Sequence, residues 1–116
     1  MIPIFDKNGQ VVAWLKGNDI HQLDGSHVAV IDSENVYDQS GKHLGIFEDN
    51  LFRDHSGGVV AFLNGADSGP ILPIPSIPPI PPIPAIPPVP AIPSIPPIPA
   101  VPSLGWGISW REFLNG

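Results

Sequence analysis

The chain has 116 residues, no cysteine and a formal net charge of −6 at pH 7. It therefore has no disulfide, and no apolar run reaches the roughly 18 residues that a membrane-spanning helix needs. The charge lies in residues 1–69, where ten acidic residues outnumber four basic ones. Such a surface repels phosphate backbones, which argues against nucleic acid as a partner. Residues 1–10 lack the basic and apolar regions of a secretory signal, which predicts a cytoplasmic location unless export is signal-independent.

A 16-residue repeat occupies the first half of the chain. It runs without gaps through residues 5–20, 21–36, 37–52 and 53–68. Its fifth position is always glycine, its eighth is Val or Leu, and its ninth is always Ala or Gly. Large apolar side chains fill the tenth and eleventh positions, which are Trp14-Leu15, Val30-Ile31, Ile46-Phe47 and Phe62-Leu63. Agreement in so many columns identifies four copies of one structural unit.

Each unit predicts a β-hairpin. The Asn-Gly, Asp-Gly and Ser-Gly pairs supply the positive φ of a tight turn, and a run of β-favouring apolar residues follows. A single hairpin is unstable in water, whereas four can close into a ring without exposed edges. We therefore predict an all-β fold for residues 1–69, a shallow pseudo-fourfold β-barrel of four hairpin repeats. The small ninth residue fits a position where four copies crowd around the axis.

Residues 70–103 hold sixteen of the 17 prolines. From Ile74 to Ser103 the chain repeats Ile/Val-Pro-x ten times, and the fixed φ of proline predicts a polyproline II rod. With three residues per turn, all the Ile/Val side chains share one face of a rod of roughly 90 Å, if it is straight, which a domain of ~70 residues cannot cover. This stripe either belongs to a plain spacer or packs on the β-domain, on another rod or on another protein.

We predict that the rod is ordered and that its Ile/Val face is buried in an assembly. Half burial of ten such side chains would contribute about 10 kcal/mol, and proline has already removed much of the backbone entropy that ordering costs. The burial would come from rods that bundle side by side or from the domains of several chains arrayed along them. The predicted contact residues on the rod are Ile77, Ile80, Ile83 and Ile86.

Residues 104–116 predict a short C-terminal helix. Ser109 and Glu112 have the spacing of a capping box, and Trp110, Phe113 and Leu114 then share one face of the helix. A helix of one or two turns is unstable alone, so it must dock on an apolar patch of its own β-domain or of a neighbour's. In a bundle of rods this tail would act as a clasp between chains.

The repeat resembles a known protein family. Its Asp-x-(Asn/Asp/Ser)-Gly turn, the Val/Leu and Ala/Gly that follow, the proline-rich stretch and the Trp-containing C-terminus are similar to the bacterial 4-fold beta flower proteins. The resemblance covers residues 5–68 and 105–114, and the second repeat departs from it because Gln22 replaces the aspartate. It implies a shallow, petal-like β-barrel and supplies no catalytic residues.

Residues that carry chemistry are present, but their pattern does not indicate catalysis. The Asp-x-x-Gly turns lack the bidentate glutamate of a calcium loop, and we expect neither a metal nor a cofactor. His27 and His43 share the seventh repeat position, whereas Val11 and Val59 occupy it in the other repeats. We therefore predict that these two histidines are surface residues, and we predict the same for His21 and His55. No nucleophile motif or phosphate-binding loop is present.

These observations favour a non-catalytic binding, adaptor or structural module, with a protein or a second copy of the chain as its partner. On the barrel, the candidate apolar face is lined by Trp14, Ile46 and Phe62. The alternative is a peripheral membrane or lipid-binding protein, because Trp106, Trp110 and Phe113 suit an interface. The acidic charge argues against it. An enzyme is the third and least favoured hypothesis.

Overall fold

The repeats form hairpins that close into a ring. The computed structural model describes residues 1–89 and 91–116 and contains a closed antiparallel barrel in which each strand pairs with its neighbours in sequence and β8 pairs with β1 through Phe62 and Phe5. Its strands are β1 Ile2–Phe5, β2 Val11–Lys16, β3 Asp19–Gln22, β4 His27–Asp32, β5 Asn35–Asp38, β6 His43–Glu48, β7 Leu51–Arg53 and β8 Val59–Phe62. The predicted all-β, pseudo-fourfold barrel is confirmed.

A turn with a glycine at its tip recurs in all four repeats. Gly9, Gly25, Gly41 and Gly57 all have φ between 77° and 91°, a region that only glycine enters at little cost. The aspartate three residues earlier fixes the turn in three repeats; Asp38 Oδ1, for example, accepts hydrogen bonds from the amides of Ser40 and Lys42. Each repeat also has one register shift next to its first residue. Such bulges increase strand twist and thereby help a short sheet to close.

The barrel interior is filled from four repeat positions. The small ninth residues Ala13, Ala29 and Ala61 are fully buried, as expected where four copies meet. Around them pack the eighth, eleventh and sixteenth positions. Between the inward ninth and eleventh positions, the tenth faces outward, as strand alternation requires. The sixteenth-position side chains are Ile20, Val36 and Phe52, and Ile4, just before the first repeat, takes the place of the fourth.

A short helix plugs one mouth of this barrel. Helix α1, Trp110–Leu114, begins at the N-cap Ser109 with the predicted capping box. Phe113 and Trp110 are buried, and Phe52 meets both rings edge-on at centroid distances of 6.5 and 5.4 Å. The helix therefore docks on its own β-domain, one of the two sites that the sequence allowed.

The fourth repeat anchors the tail. Val59 donates its amide to the Gly105 carbonyl and accepts from Gly107, so that the tail adds one bridge to the barrel wall. Gly58 and Gly107 allow this close approach, since a methyl group on Gly58 would lie 2.5 Å from the Gly107 Cα. Asp54 fastens the next residue, because its Oδ2 accepts from the amide of Ile108 at 3.0 Å.

The proline-rich segment is not a straight rod. Residues 70–103 are called the belt from here on, and of these residues 70–89 and 91–103 run around the outside of the barrel. Once per petal, a belt amide donates to the carbonyl of a turn glycine at 2.8–3.0 Å. The four pairs are Ser76 with Gly9, Ala85 with Gly25, Ser94 with Gly41 and Ser103 with Gly57. Successive partners are therefore nine residues apart in the belt and 16 apart in the barrel.

The length of the belt matches the circumference of the barrel. At about 3.1 Å per residue, the 27-residue step from Ile74 to Val101 spans roughly 84 Å. These contacts cover three of the four intervals between petals, so a full circle would be roughly 110 Å long and about 36 Å across. The molecule measures 37 × 36 × 20 Å. The expectation of a straight rod is wrong because each petal offers the same hydrogen-bonding carbonyl at the same spacing.

We predict that Ser94→Pro weakens the belt. Proline has no amide hydrogen, so the bond to the Gly41 carbonyl is lost at a cost of about 0.5–1.5 kcal/mol in unfolding free energy. Ala91→Pro is the matched control, because proline already occupies the equivalent positions 73 and 82. Urea denaturation compares the two variants, and equal stabilities would contradict this role of the Ser94 amide.

Gly45→Ala is expected to disturb the plug. The other repeats carry alanine at this position, but here a methyl group would lie 2.6 Å from Phe113 Cε1 and would also meet the Arg53 carbonyl. Overpacking of this kind costs about 1–3 kcal/mol. Gly105→Ala, whose methyl group would meet nothing closer than 3.4 Å, is the control in thermal unfolding. An unchanged melting temperature for Gly45→Ala would contradict the proposed seat.

Candidate functional site: an apolar belt around the barrel

The belt carries its isoleucine and valine side chains on the outside. The first residues of the ten triplets are between 86 and 95% exposed. Exposure that recurs every third residue is the period of a polyproline II helix with one face outward. These residues are Ile74, Ile77, Ile80, Ile83, Ile86, Val89, Ile92, Ile95, Ile98 and Val101.

The opposite side of the belt lies against the turns. A methyl group on Gly25 would be 2.5 Å from the Ile83 carbonyl oxygen and 3.4 Å from the Pro82 side chain. The turns therefore require glycine for two reasons: its φ is positive, and the belt passes too close for a side chain. At every third Ile/Val of the row, the backbone carbonyl and the side chain of the preceding residue face a turn. The Ile/Val side chains themselves are at least 86% exposed and face away from the wall. One alternative left open by the sequence, that the stripe packs on its own β-domain, is therefore wrong.

The predicted apolar face of the barrel is not one face. Trp14, Ile46 and Phe62 occupy the tenth repeat position, and each points outward from a different petal, because the strand pleat places their neighbours inside. Trp14 and Phe62 are buried in the outer wall at 1 and 2% exposure, and only Ile46 is half-buried. Phe62 stacks on Phe5 and contacts Trp106. The prediction of a shared face lined by these three residues is wrong.

The tail aromatics are also largely covered. Trp110 and Phe113 are 7 and 1% exposed within the plug, while Trp106 and Leu114 are half-buried. The alternative hypothesis of a peripheral membrane protein requires these aromatic side chains to be exposed. In the folded chain, most of the exposed large apolar side chains belong to the belt, with Ile77, Ile80, Ile83 and Ile86 at 92–95% exposure.

Two histidine clusters lie beneath the belt. His27 shares hydrogen bonds with Asp19 at 2.9 Å and with Gln39 at 3.0 Å. His43 does the same one repeat later, with Asn35 and His55 at 2.9 Å each. Each cluster thus combines the histidine at repeat position seven with position fifteen of the preceding repeat and position three of the next.

The histidine prediction needs correction. His21 is fully buried and His43 is 7% exposed, so they are not surface residues. Both ring nitrogens of His27 and of His43 have hydrogen-bonding partners, which fits a structural role. Among residues 1–89 and 91–116, no group of three or more His, Asp or Glu side chains is placed to hold a metal ion. The sequence signal for these clusters is that polar residues recur at three repeat positions. The register of strand pairing then brings these positions together.

A recess separates the belt from the barrel wall at each cluster. The recess at His27 has a volume of about 360 Å³ and is bounded by Tyr37 and by belt prolines 87, 88 and 93. That at His43 and His55 has about 300 Å³. The belt therefore contacts the wall at the turns and bridges the hairpin between them.

We predict an acid-induced loss of stability that depends on His43. Burial, and secondarily the nearby His55, lower the pKa of His43 below its ordinary value of 6.5. The unfolded chain then binds a proton that the folded chain does not, so stability is full above about pH 6.5 and falls as the pH drops below it, by at most about 1.4 kcal/mol per pH unit. The lowered pKa values of Asp24, Asp38 and Asp54 act only at lower pH, below about 4.

Urea denaturation between about pH 7.5 and 5 measures this slope. His43→Gln should remove it, whereas His55→Gln should reduce it without abolishing it because the burial of His43 persists. A slope that survives in His43→Gln would show that another group is responsible.

Comparison with known proteins supports the fold. In the described part of the chain, no helix has the length and apolar character needed to cross a membrane. Neither curated proteins nor solved structures gave a match. The family described as "4-fold beta flower protein" matches residues 2–114, which include the barrel, the belt and the plug helix. The chain therefore belongs to the 4-fold beta flower family.

Proposed function

We propose that this protein is a non-catalytic module that associates with copies of itself through the belt. The observation that carries the proposal is the row of ten Ile and Val side chains, each at least 86% exposed. No charged residue interrupts residues 70–103. A row of this kind loses hydration at no cost in charge burial when it meets another apolar surface.

The size of the row sets it apart from ordinary surface residues. Full burial of an isoleucine contributes about 1.5–3 kcal/mol, which at ~25 cal/mol per Å² corresponds to roughly 60–120 Å² of apolar surface. Ten such residues present roughly 600–1,200 Å² in one continuous band, whereas the largest apolar patch of a typical monomer is about 300–600 Å². The band therefore has the properties of an interface.

A second belt is the surface that matches this band best. Both have an apolar side chain at every third residue, so the side chains interdigitate at one spacing along the short arc where two convex rims touch. The barrel end opposite the plug has acidic residues in its turns, including Asp32, Glu34 and Asp49. Like charges disfavour contact between two such ends. The geometry therefore favours discs that meet edge to edge rather than discs that stack.

We predict that wild-type protein associates in a concentration-dependent way in sedimentation velocity. Changing Ile77, Ile80, Ile83 and Ile86 to Ser should shift the protein toward the 12.3 kDa monomer. One contact between convex rims covers about two of these isoleucines, and loss of half burial at two amounts to about 1.5–3 kcal/mol, which weakens that contact at least about 10-fold. Unfolding free energy should change little, because these side chains are 92–95% exposed within the chain.

The matched control changes three residues of the same segment outside the Ile/Val row, with Ser76 and Ser94 replaced by Ala and Ala85 by Ser. These changes keep every belt amide and every Ile and Val side chain of the row. A wild type that remains monomeric, or a belt variant that associates like wild type, contradicts the proposal. A monomer that floats with neutral liposomes in a density gradient supports the lipid-binding alternative instead.

A further inference from the structure

The size of the tenth repeat residue governs the space between the barrel wall and the belt. Trp14 and Phe62 are 1 and 2% exposed and fill the wall of their petals. Val30 and Ile46 are smaller and half-buried, and each lines one of the two recesses under the belt. The recess at Val30 has about 360 Å³, a volume typical of small-molecule sites, which combine apolar walls with a few polar groups.

Strand register fixes the floor of the Val30 recess. Val30 lies opposite Asp19 on β3 and opposite Tyr37 on β5, and directly paired residues share a face with their Cβ atoms roughly 4.5–5.5 Å apart. Asp32 follows Val30 by two residues on the same face of β4. It is therefore a diagonal neighbour of Asp19, at roughly 7–8 Å. Both aspartates line the recess, so the register brings two carboxylates to the edge of an apolar floor.

The lining of this recess is acidic. It includes a third carboxylate, Asp38, and among the described residues no lysine or arginine. His27 is uncharged in the arrangement of hydrogen bonds seen here. The Gln39 amide nitrogen, identified by its bond to the His27 carbonyl, donates to His27 Nδ1, so the ring proton lies on Nε2 and is donated to Asp19.

Two lysines lie near these carboxylates without lining the recess. Lys16 pairs with Asp19 across β2 and β3, but it is exposed. Lys42 directs its Nζ to the Gly116 carbonyl, beyond helix α1. Within the part of the chain that the structure describes, neither lysine is ion-paired with an aspartate of the recess. A recess of this charge, in a chain of net charge −6, is complementary to a cation.

The Tyr37 hydroxyl is a further polar group without a partner. Tyr37 occupies the first repeat position, is 4% exposed and lines the recess. At the same position, His21 and Arg53 donate to the carbonyl of their turn glycine, whereas no hydrogen bond joins the Tyr37 hydroxyl to another described residue. Buried polar groups are normally hydrogen-bonded, and a ligand in the recess would supply the partner.

We propose that the Val30 recess binds a small aromatic amine in its ammonium form. The ammonium group would lie between Asp19 and Asp32, and the ring would lie on Val30 beneath belt prolines 87, 88 and 93. Proline rings of a polyproline II segment pack well on aromatic rings, which favours an aromatic body over an aliphatic one. The site lies on the inner side of the belt and does not involve the outward Ile/Val row, so it is independent of self-association.

Isothermal titration calorimetry of the full chain with 2-phenylethylamine at pH 7 tests the site. 2-Phenylethanol has the same body without the charge and should bind about tenfold more weakly or worse. Asp19→Asn combined with Asp32→Asn should weaken amine binding by a similar factor, while asparagine keeps an acceptor for His27. The matched control is Asp49→Asn combined with Asp67→Asn, which removes two charges at exposed positions outside the recess and should leave binding unchanged.

Filling the recess is the second test. Val30→Trp should abolish amine binding, because tryptophan is the residue that the first repeat carries at this position. Ile46→Trp places the same side chain in the neighbouring recess and should leave binding unchanged. Urea denaturation shows whether both variants fold, and the aspartate variants decide the question if Val30→Trp does not.

Saturable binding of the amine with this order of ligands and variants supports the proposal. Absence of amine binding overturns it, as does 2-phenylethanol that binds as tightly as the amine. Equal weakening by the two pairs of aspartate variants, or full binding by a folded Val30→Trp variant, also overturns it. Because self-association is measured separately by sedimentation, failure of either proposal is distinguishable from failure of the other.

Discussion

Four backbone hydrogen bonds hold the belt to the barrel, one at each petal, and most of the architecture depends on them. Each joins a belt amide to the carbonyl of a turn glycine. The donor must be a residue other than proline, and Ser76, Ala85, Ser94 and Ser103 meet this requirement at intervals of nine. The acceptor must have no side chain, because the belt carbonyl passes within contact distance of the glycine. The nine-residue period of the belt and the 16-residue period of the barrel repeats therefore meet at this hydrogen bond.

The fourth repeat departs from the fourfold symmetry because the belt ends there. In the fourth repeat, Arg53 is 5% exposed and donates through Nη1 to the Gly57 and Ser103 carbonyls at 2.7 Å each. It thus ties the end of the belt to the last turn, at a position where other repeats carry Phe, His or Tyr. Gly58 and Gly45 replace larger residues of the repeat at the points where the tail and Phe113 approach. Departures from the repeat mark the contacts that only one petal makes.

The barrel was predictable because its determinants are local and recur four times. Glycine at the fifth position sets the turn, and the apolar run that follows sets the strand. The ring then follows because hairpins have edges to satisfy. The path of the belt was not predictable in the same way. The nine-residue spacing of Ser76, Ala85 and Ser94 is visible in the sequence, but only the diameter of the barrel gives it meaning, and proline residues alone favour a straight rod.

The histidine clusters and the outer wall escaped prediction for a related reason. Whether His43 reaches His55 and Asn35 depends on the register between β5, β6 and the following turn, including the bulge between Val36 and Tyr37. A shift of one residue moves every side chain to the other face. The same alternation sends Trp14 outward although it lies between two buried core residues. A pattern of apolar residues alone does not distinguish a buried outer wall from an open binding face.

The belt has a further consequence for how such discs can meet. An exposed β-edge offers unpaired amides and carbonyls that recruit other strands and promote aggregation. The closed barrel has no such edge, and the belt that surrounds it contains sixteen prolines, which have no amide hydrogen to donate. The four amides that hold the belt are directed at the glycines of its own turns. From Ile74 to Ser103 at least every third residue is proline, so the other belt amides cannot supply the donors of a continuous strand ladder. The proposed contact through the belt would therefore depend on side-chain burial, and its strength should scale with the number of isoleucines brought together.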